Sequence, residues 1–349
     1  MFDLPATPRL EERTVSADSS PRVDAHLKSV PGNVSWGLIP ANAAPALKVQ
    51  SGAVVSMDTV SQQGLTAGID PVAFFGEAGI AAAEVLNDVK TIYRDVERTP
   101  GAGSHVLTGP VYIEPARPGD MLEVRILDVA LRVDYGTNNS GPNVGAAPSL
   151  LSGVARQIIR IDRSRNVALF SERIELPLAP FMGIMAVAPP DDAAPANTRP
   201  PGAFGGNMDL KVLTRGATLY LPVFQEGAQF FTGDGHALQG DGEVNGTAIE
   251  ISLTPTLQFI VHPGAGREMR WPRAEDASWH YVTAMSTDLD EACSLAVHES
   301  VAFLQARAAL SAAQAYALTS LSVDFRIAEA VNHVKLVYGA IPKRLLPNR

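Results

Sequence analysis

Glycine and proline recur so often between short apolar runs that this chain has little room for long helices before its last quarter. The 349 residues include 29 Gly and 26 Pro. Both punctuate regular structure: Gly accepts positive φ, and Pro fixes φ and lacks an N–H. Between them, Leu122, Val124 and Ile126 alternate with charged neighbours, Ile249, Ile251 and Leu253 repeat the pattern, and Leu257, Phe259 and Val261 keep the same phase. Alternation with period two marks a strand buried on one face. Strands separated by turn signals predict a mainly β fold with a jelly-roll or sandwich-like body, not a doubly wound parallel sheet. No GxGxxG or Walker loop is present.

Helical signals are local. Apolar residues mix with Glu77, Glu84 and Asp88 over 72–93, which predicts a helical interruption weakened by Gly76 and Gly79. Thr287 or Asp288 can cap a helix whose Leu289, Cys293, Ala296, Val297 and Leu304 share a face. Ser311 and Gln314 have the spacing of a capping box for a second helix running through Leu321, after which Val323, Phe325 and Ile327 alternate as a strand. The expected organisation is an extended N-terminal arm over 1–30, where Pro5, Pro8 and Pro21 sit among charges, followed by one domain over 31–345. That domain divides into a β-rich part, 31–270, and a C-terminal α/β segment, 271–345. Residues 136–143 and 188–202 read as loops, the second leading into Gly205-Gly206-Asn207-Met208-Asp209 as a lid or linker.

Composition bounds the partners. With 46% hydrophobic residues the chain can bury a large core without covalent staples. A net charge of −9 with no basic run argues against nucleic acid or an anionic membrane surface, and suits a small neutral substrate. Every long apolar stretch is broken by charge or Pro, and Glu11, Glu12, Arg13 and Asp18 leave no apolar core of the signal-peptide kind. The single cysteine, Cys293, excludes an internal disulfide. A cytoplasmic homo-oligomer, a dimer in the simplest case, is the expectation.

The chemistry concentrates in Gly-Asp-Gly-His-Ala-Leu-Gln-Gly-Asp-Gly-Glu, residues 233–243. Asp234 and His236 are two apart, so on a strand they share a face, and Asp241 and Glu243 repeat that spacing after a Gly-flanked bend. One imidazole with three carboxylates suits a divalent ion, zinc first, with calcium as a second, oxygen-bound companion. The competing reading is a solvated hairpin in which the Asp-Gly steps make turns.

The surrounding blocks carry a resemblance. Pro-Pro-Gly-Ala-Phe-Gly-Gly-Asn-Met-Asp (200–209), Gly-Ala-Thr-Leu-Tyr-Leu-Pro-Val-Phe (216–224), Leu-Thr-Gly-Pro-Val-Tyr-Ile (107–113) with Arg-Pro-Gly-Asp (117–120), Pro-Phe-Met-Gly-Ile-Met-Ala-Val-Ala-Pro (180–189) and the segment 315–327 together resemble the acetamidase/formamidase family. The resemblance spans about residues 30–345. It implies metal-dependent hydrolysis of short amides to ammonia and a carboxylate. Two positions depart from the family pattern: Ser35-Trp36, where many members carry a His, and Ser61-Gln62-Gln63, where an acidic residue is usual.

Within that resemblance Asp58 and Asp209 become candidate metal ligands beside Asp234, His236 and Asp241, and His105 a candidate oxyanion donor or ligand. A thiol route is poor because Cys293 falls on an apolar helix stripe, and no Gly-x-Ser-x-Gly elbow exists for a serine route. A metal-activated water remains, with Glu243 as the first choice of general acid/base and Glu250 as the reserve. Hydrolysis of another C–N bond, such as that of a small lactam, and a non-catalytic jelly-roll binding protein stay open as alternatives.

Overall fold

The computed structural model describes residues 21–66, 68–190 and 195–346. Most of the expected arm, residues 1–20, lies outside that set, as does the 191–194 part of the expected lid. The described end of the arm is tied into the body: strand Ala25–Leu27 runs parallel to Val54–Met57, with Ala25 opposite Val55.

Two large sheets form the body. One has nine strands, in the order Ala25–Leu27, Val54–Met57, Leu253–His262, Met121–Leu131, Thr218–Pro222, Arg273–Glu275, Trp279–Ser286, Lys335–Pro342 and Asp324–Glu329. The other has seven, running from Pro201–Gly202 through Gly205–Asn207, Phe181–Ala186, Phe230–His236 and Val106–Glu114 to Val34–Trp36, with Leu47–Gln50 also paired to Val106–Glu114. Their inner faces meet in one core. Leu122, Val124, Leu219, Leu257 and Phe259 from the first sheet pack with Val111, Ile113, Met182, Met185 and Phe230 from the second. The Phe230 and Phe259 rings sit 4.9 Å apart across that interface. This is the sandwich that alternation in 122–126 and 257–261 predicts, because such strands bury every second side chain.

The helical interruption is two short helices, α1 (Pro71–Gly76) and α2 (Asn87–Asp95). Asp70 caps α1 by accepting from the Val72 and Ala73 amides at 2.8 and 3.2 Å. The C-terminal helices α3 (Leu289–Ala308) and α4 (Ala312–Ser322) start as their caps require: Asp288 accepts from the Glu291 amide at 2.9 Å, and Ser311 with Gln314 closes a capping box. Ala292 and Ala296 of α3 pack on Ala284 and Val337, and Phe303 and Leu304 on Val282 and Ile341. Leu336, Tyr338 and Ala340 point the other way, into the body. Strand Lys335–Pro342 is therefore covered on both faces, and the α/β segment is fused to the sandwich.

The loop expected over 136–143 is partly a strand. Tyr135–Ser140 pairs antiparallel with Ala155–Asp162, in a four-stranded sheet completed by Val167–Ser171 and Ile174–Pro177. Its polar sequence hid it. Asn138 is satisfied by Asn245, Thr247 and Ala248, so a run rich in turn-forming residues is held by tertiary hydrogen bonds.

Candidate active site

Strand Phe230–His236 lies inside the seven-stranded sheet, between Phe181–Ala186 and Val106–Glu114, and all seven of its residues are buried. The glycines around Asp234 serve close packing rather than turns. A Cβ on Gly233 would stand 2.4 Å from the Val106 carbonyl oxygen, and one on Gly235 would stand 2.5 Å from that of Ile251. Only residues without a side chain let the neighbouring backbones approach so closely. His236 is thus 1% exposed, in a core layer and not in the accessible loop that its glycine-rich sequence leads one to expect.

Around His236 the fold gathers carboxylates from distant segments. Asp234 Oδ2 and Glu250 Oε1 each lie 3.4 Å from Nε2, and Asp209 Oδ1 lies 4.0 Å from Nδ1. Asp209, Asp234 and His236 form one group whose donor atoms all fall within 4.8 Å of one another, and His236, Glu243 and Glu250 form a second. Both imidazole nitrogens and Asp209 Oδ1 are buried without a hydrogen-bond partner. Phe181 stacks edge-on against the imidazole, ring centres 5.0 Å apart. Glu250, whose alternating neighbours equally allowed a solvated face, is 3% exposed. Its backbone bridges both Thr137 and His236.

Backbone strain collects at the same place. Asp209, Asp234 and Glu243 have φ of +45°, +57° and +46°, three of the eight non-glycine residues with positive φ among the described residues. Such conformations cost on the order of 1–3 kcal/mol each and persist where the surroundings over-determine them.

The electrostatics follow from packing acids without water. Burial, reinforced by Glu243 and Asp234, pushes the Asp209 carboxyl well above the ordinary carboxylate range. Burial also opposes ionisation of Asp234, but His105 and His236 outweigh it and hold that carboxyl below its usual value. For His236 burial disfavours the charged ring, yet Glu250 and Asp234 raise its pKa well above normal. Glu243 is pushed up to about 8, chiefly by burial, with His236 opposing and Glu250 and Asp234 adding to the rise.

The other candidates divide. His105 turns Nε2 towards Asp234 Oδ2 at 3.9 Å while Nδ1 meets the Thr198 hydroxyl at 3.1 Å. Asp58 is not brought to the cluster: it accepts from Thr254 at 2.7 Å and pairs with His26 at 3.1 Å and Arg132 at 3.6 Å. Asp241 is turned aside too, held by Lys211 at 2.9 Å and by the Tyr338 hydroxyl at 3.0 Å. The repeated two-residue spacing therefore does not put Asp241 beside Glu243, because the chain between them is no regular strand and each carboxylate goes to a different partner. His262 and His280 pair with Glu123 and Glu275 at 2.5 and 2.8 Å, as ordinary structural histidines.

Two residues of the site lacked a role in the sequence reading. Gln62 donates from Nε2 to Asp234 Oδ1 at 3.0 Å and to Glu250 Oε2 at 2.8 Å. Glu329 is fully buried where its strand bridges Gly242, and burial pushes its carboxyl up to about 7 against the lowering effect of Asn332 and Lys335. Its sequence signal was the apolar phase of Val323, Phe325 and Ile327, which reaches Glu329 at the next step. Ser35, at the first departure from the family pattern, spends its hydroxyl on the Leu38 carbonyl at 2.7 Å.

Comparison with known proteins agrees with this architecture. The chain is 30% identical over 219 residues to an acetamidase of Mycolicibacterium smegmatis, covering 46% of this chain and 53% of that protein. It is 29% identical over 210 residues to a formamidase of Methylophilus methylotrophus, covering 45% and 51%. These matches span about half the length of the curated relatives. The crystal structure of an acetamidase from Bacillus halodurans superposes with a TM-score of 0.76 at 29% identity, covering 92% of this chain and 98% of that one. The Acetamidase/Formamidase family pattern matches residues 80–194 and 191–346, which include every residue of the buried cluster from Asp209 to Glu329, and the chain belongs to that family.

Proposed function

We propose that this chain is a hydrolase of short aliphatic amides, releasing ammonia and a carboxylate with the help of a divalent ion. The observation that carries the reading is His236: two buried ring nitrogens without a partner, faced by oxygens of Asp209, Asp234 and Glu250. Buried polar atoms are normally hydrogen-bonded, so an orphaned imidazole inside a ring of carboxylates fits a cation. Asp209, Asp234 and His236, whose donor atoms lie within 4.8 Å of one another, would hold it, with Glu250 beside the same ring nitrogen as Asp234. A nitrogen donor among oxygens favours zinc over calcium or magnesium, which prefer oxygen alone. When bound, such an ion acidifies water and polarises an amide carbonyl. The names of the relatives, an acetamidase and a formamidase, support the substrate class.

The chain's own residues supply the rest. Glu243, whose carboxyl burial among acids pushes up to about 8, lies beside His236 and is the group that can pass a proton to the departing nitrogen. That step matters because an amide nitrogen leaves poorly unless protonated. Phe181 and the buried strand exclude bulk water, which strengthens every charge interaction inside.

The test is ammonia release from a panel of C1 to C6 amides by untreated, chelated and zinc-restored protein. Activity is expected to vanish on chelation and return with zinc. Ammonia release that persists in fully metal-free protein would sink the reading.

A further inference from the structure

Gln62 is 4% exposed, and its amide group faces two carboxylates. Carboxylates only accept, so the side chain must present its NH2 to them, and its two N–H bonds are divided between Asp234 Oδ1 and Glu250 Oε2. Each carboxylate then has its other oxygen, Oδ2 or Oε1, 3.4 Å from His236 Nε2. Glu250 Oε1 is further fixed by the Ala248 amide at 2.9 Å. The two acids are thus held from behind by one neutral group, with their other oxygens converging on the imidazole.

Resting on the metal-site reading above, we infer that Gln62 is a positioning residue that aims Asp234 and Glu250 at one divalent ion. Asp209, Asp234, Glu243 and Glu250 already crowd a dry pocket, and an amide at position 62 orients two of them without adding a negative charge. A carboxylate there would lose both donated hydrogen bonds, and one of the crowded acids would then have to take up a proton. The buried Oε1 of Gln62 has no partner, so the residue is held by what it donates.

The experiment compares Gln62→Met with the unsubstituted chain, reading metal content by elemental analysis and zinc affinity by calorimetry on stripped protein. Met preserves the volume and removes the donors. Q62M is expected to weaken zinc binding by about 10–100-fold, the usual effect of losing a group that orients a ligand. Unchanged zinc affinity in Q62M would overturn the role. A group with a purely structural part would shift the melting temperature and leave both metal readouts alone. Failure of the metal reading itself is distinguishable, because the unsubstituted chain would then bind no zinc.

Discussion

A β-carbon at Gly183 would stand 2.6 Å from the Oδ2 of Asp234, and equally close to Asp209 Oδ1. It would also meet His236 Cε1 at 2.7 Å. The space in front of Gly183 is therefore the space the cluster occupies. Gly183→Ala should destabilise the fold by about 1–3 kcal/mol, as overpacking does. It should also cut zinc content well below that of the unsubstituted chain, measured by elemental analysis on material shown to be folded by circular dichroism. Full metal content would mean that the cluster is not where the ion sits.

His236→Ala should cost more than activity. The imidazole is what Asp234 and Glu250 converge on in a dry layer, and removing it leaves two buried acids without their shared partner, at a cost of about 3–5 kcal/mol. Denaturant unfolding should show that loss alongside loss of metal. A variant as stable as the unsubstituted chain would show that these acids do not depend on the imidazole.

Asp241→Asn makes the contrast. The side chain is bound to Lys211 and Tyr338, outside both groups of converging donors. The expected result is a stability loss of about 0.5–1.5 kcal/mol with metal content and amide hydrolysis unchanged. Loss of the ion in this variant would return Asp241 to the ligand set.

Glu275 gives an acid-stability signature far from the site. Burial opposes its ionisation, but the hydrogen bond with His280 and the nearby Lys343 ammonium hold its carboxyl down to about 2. The unfolded chain binds that proton near the ordinary value of 4.5, so the stabilisation is complete above that pH and fades as pH falls towards 2. Glu275→Gln should therefore be less stable than the unsubstituted chain near neutrality, with the gap closing below pH 4.5. A gap constant from pH 7 to pH 3 would contradict the assignment.

The parts of the fold that sequence announces are those set by near neighbours. Leu122 to Ile126 alternates because one face of that strand is buried, and Asp288 and Ser311 cap helices through contacts three residues away. Tyr135–Ser140 and the burial of His236 were hidden for one shared reason. Polar residues and glycines resemble a solvated turn until distant partners, such as Thr247 for Asn138 or Val106 for Gly233, are in place. Asp209, Asp234, His236, Glu243 and Glu250 stood out by residue type in glycine-rich or family-like blocks. Asp58 and Asp241 stood out on the same grounds, but Arg132 and Lys211 hold them elsewhere, and nothing local encodes that pairing.

Glu329 sits beside Gly242 through a bridge in which the Gly242 amide donates to Ala328 and the Ala330 amide donates to Gly242. The pocket is thus closed by a strand synthesised long after the residues it completes. A nascent chain that has exposed Gln62, Asp209, His236 and Glu250 still lacks that wall, so the acids remain wet and loosely held until the C-terminal segment emerges and docks. Competence would then be gained late, a timing that follows from joining ends so distant in sequence.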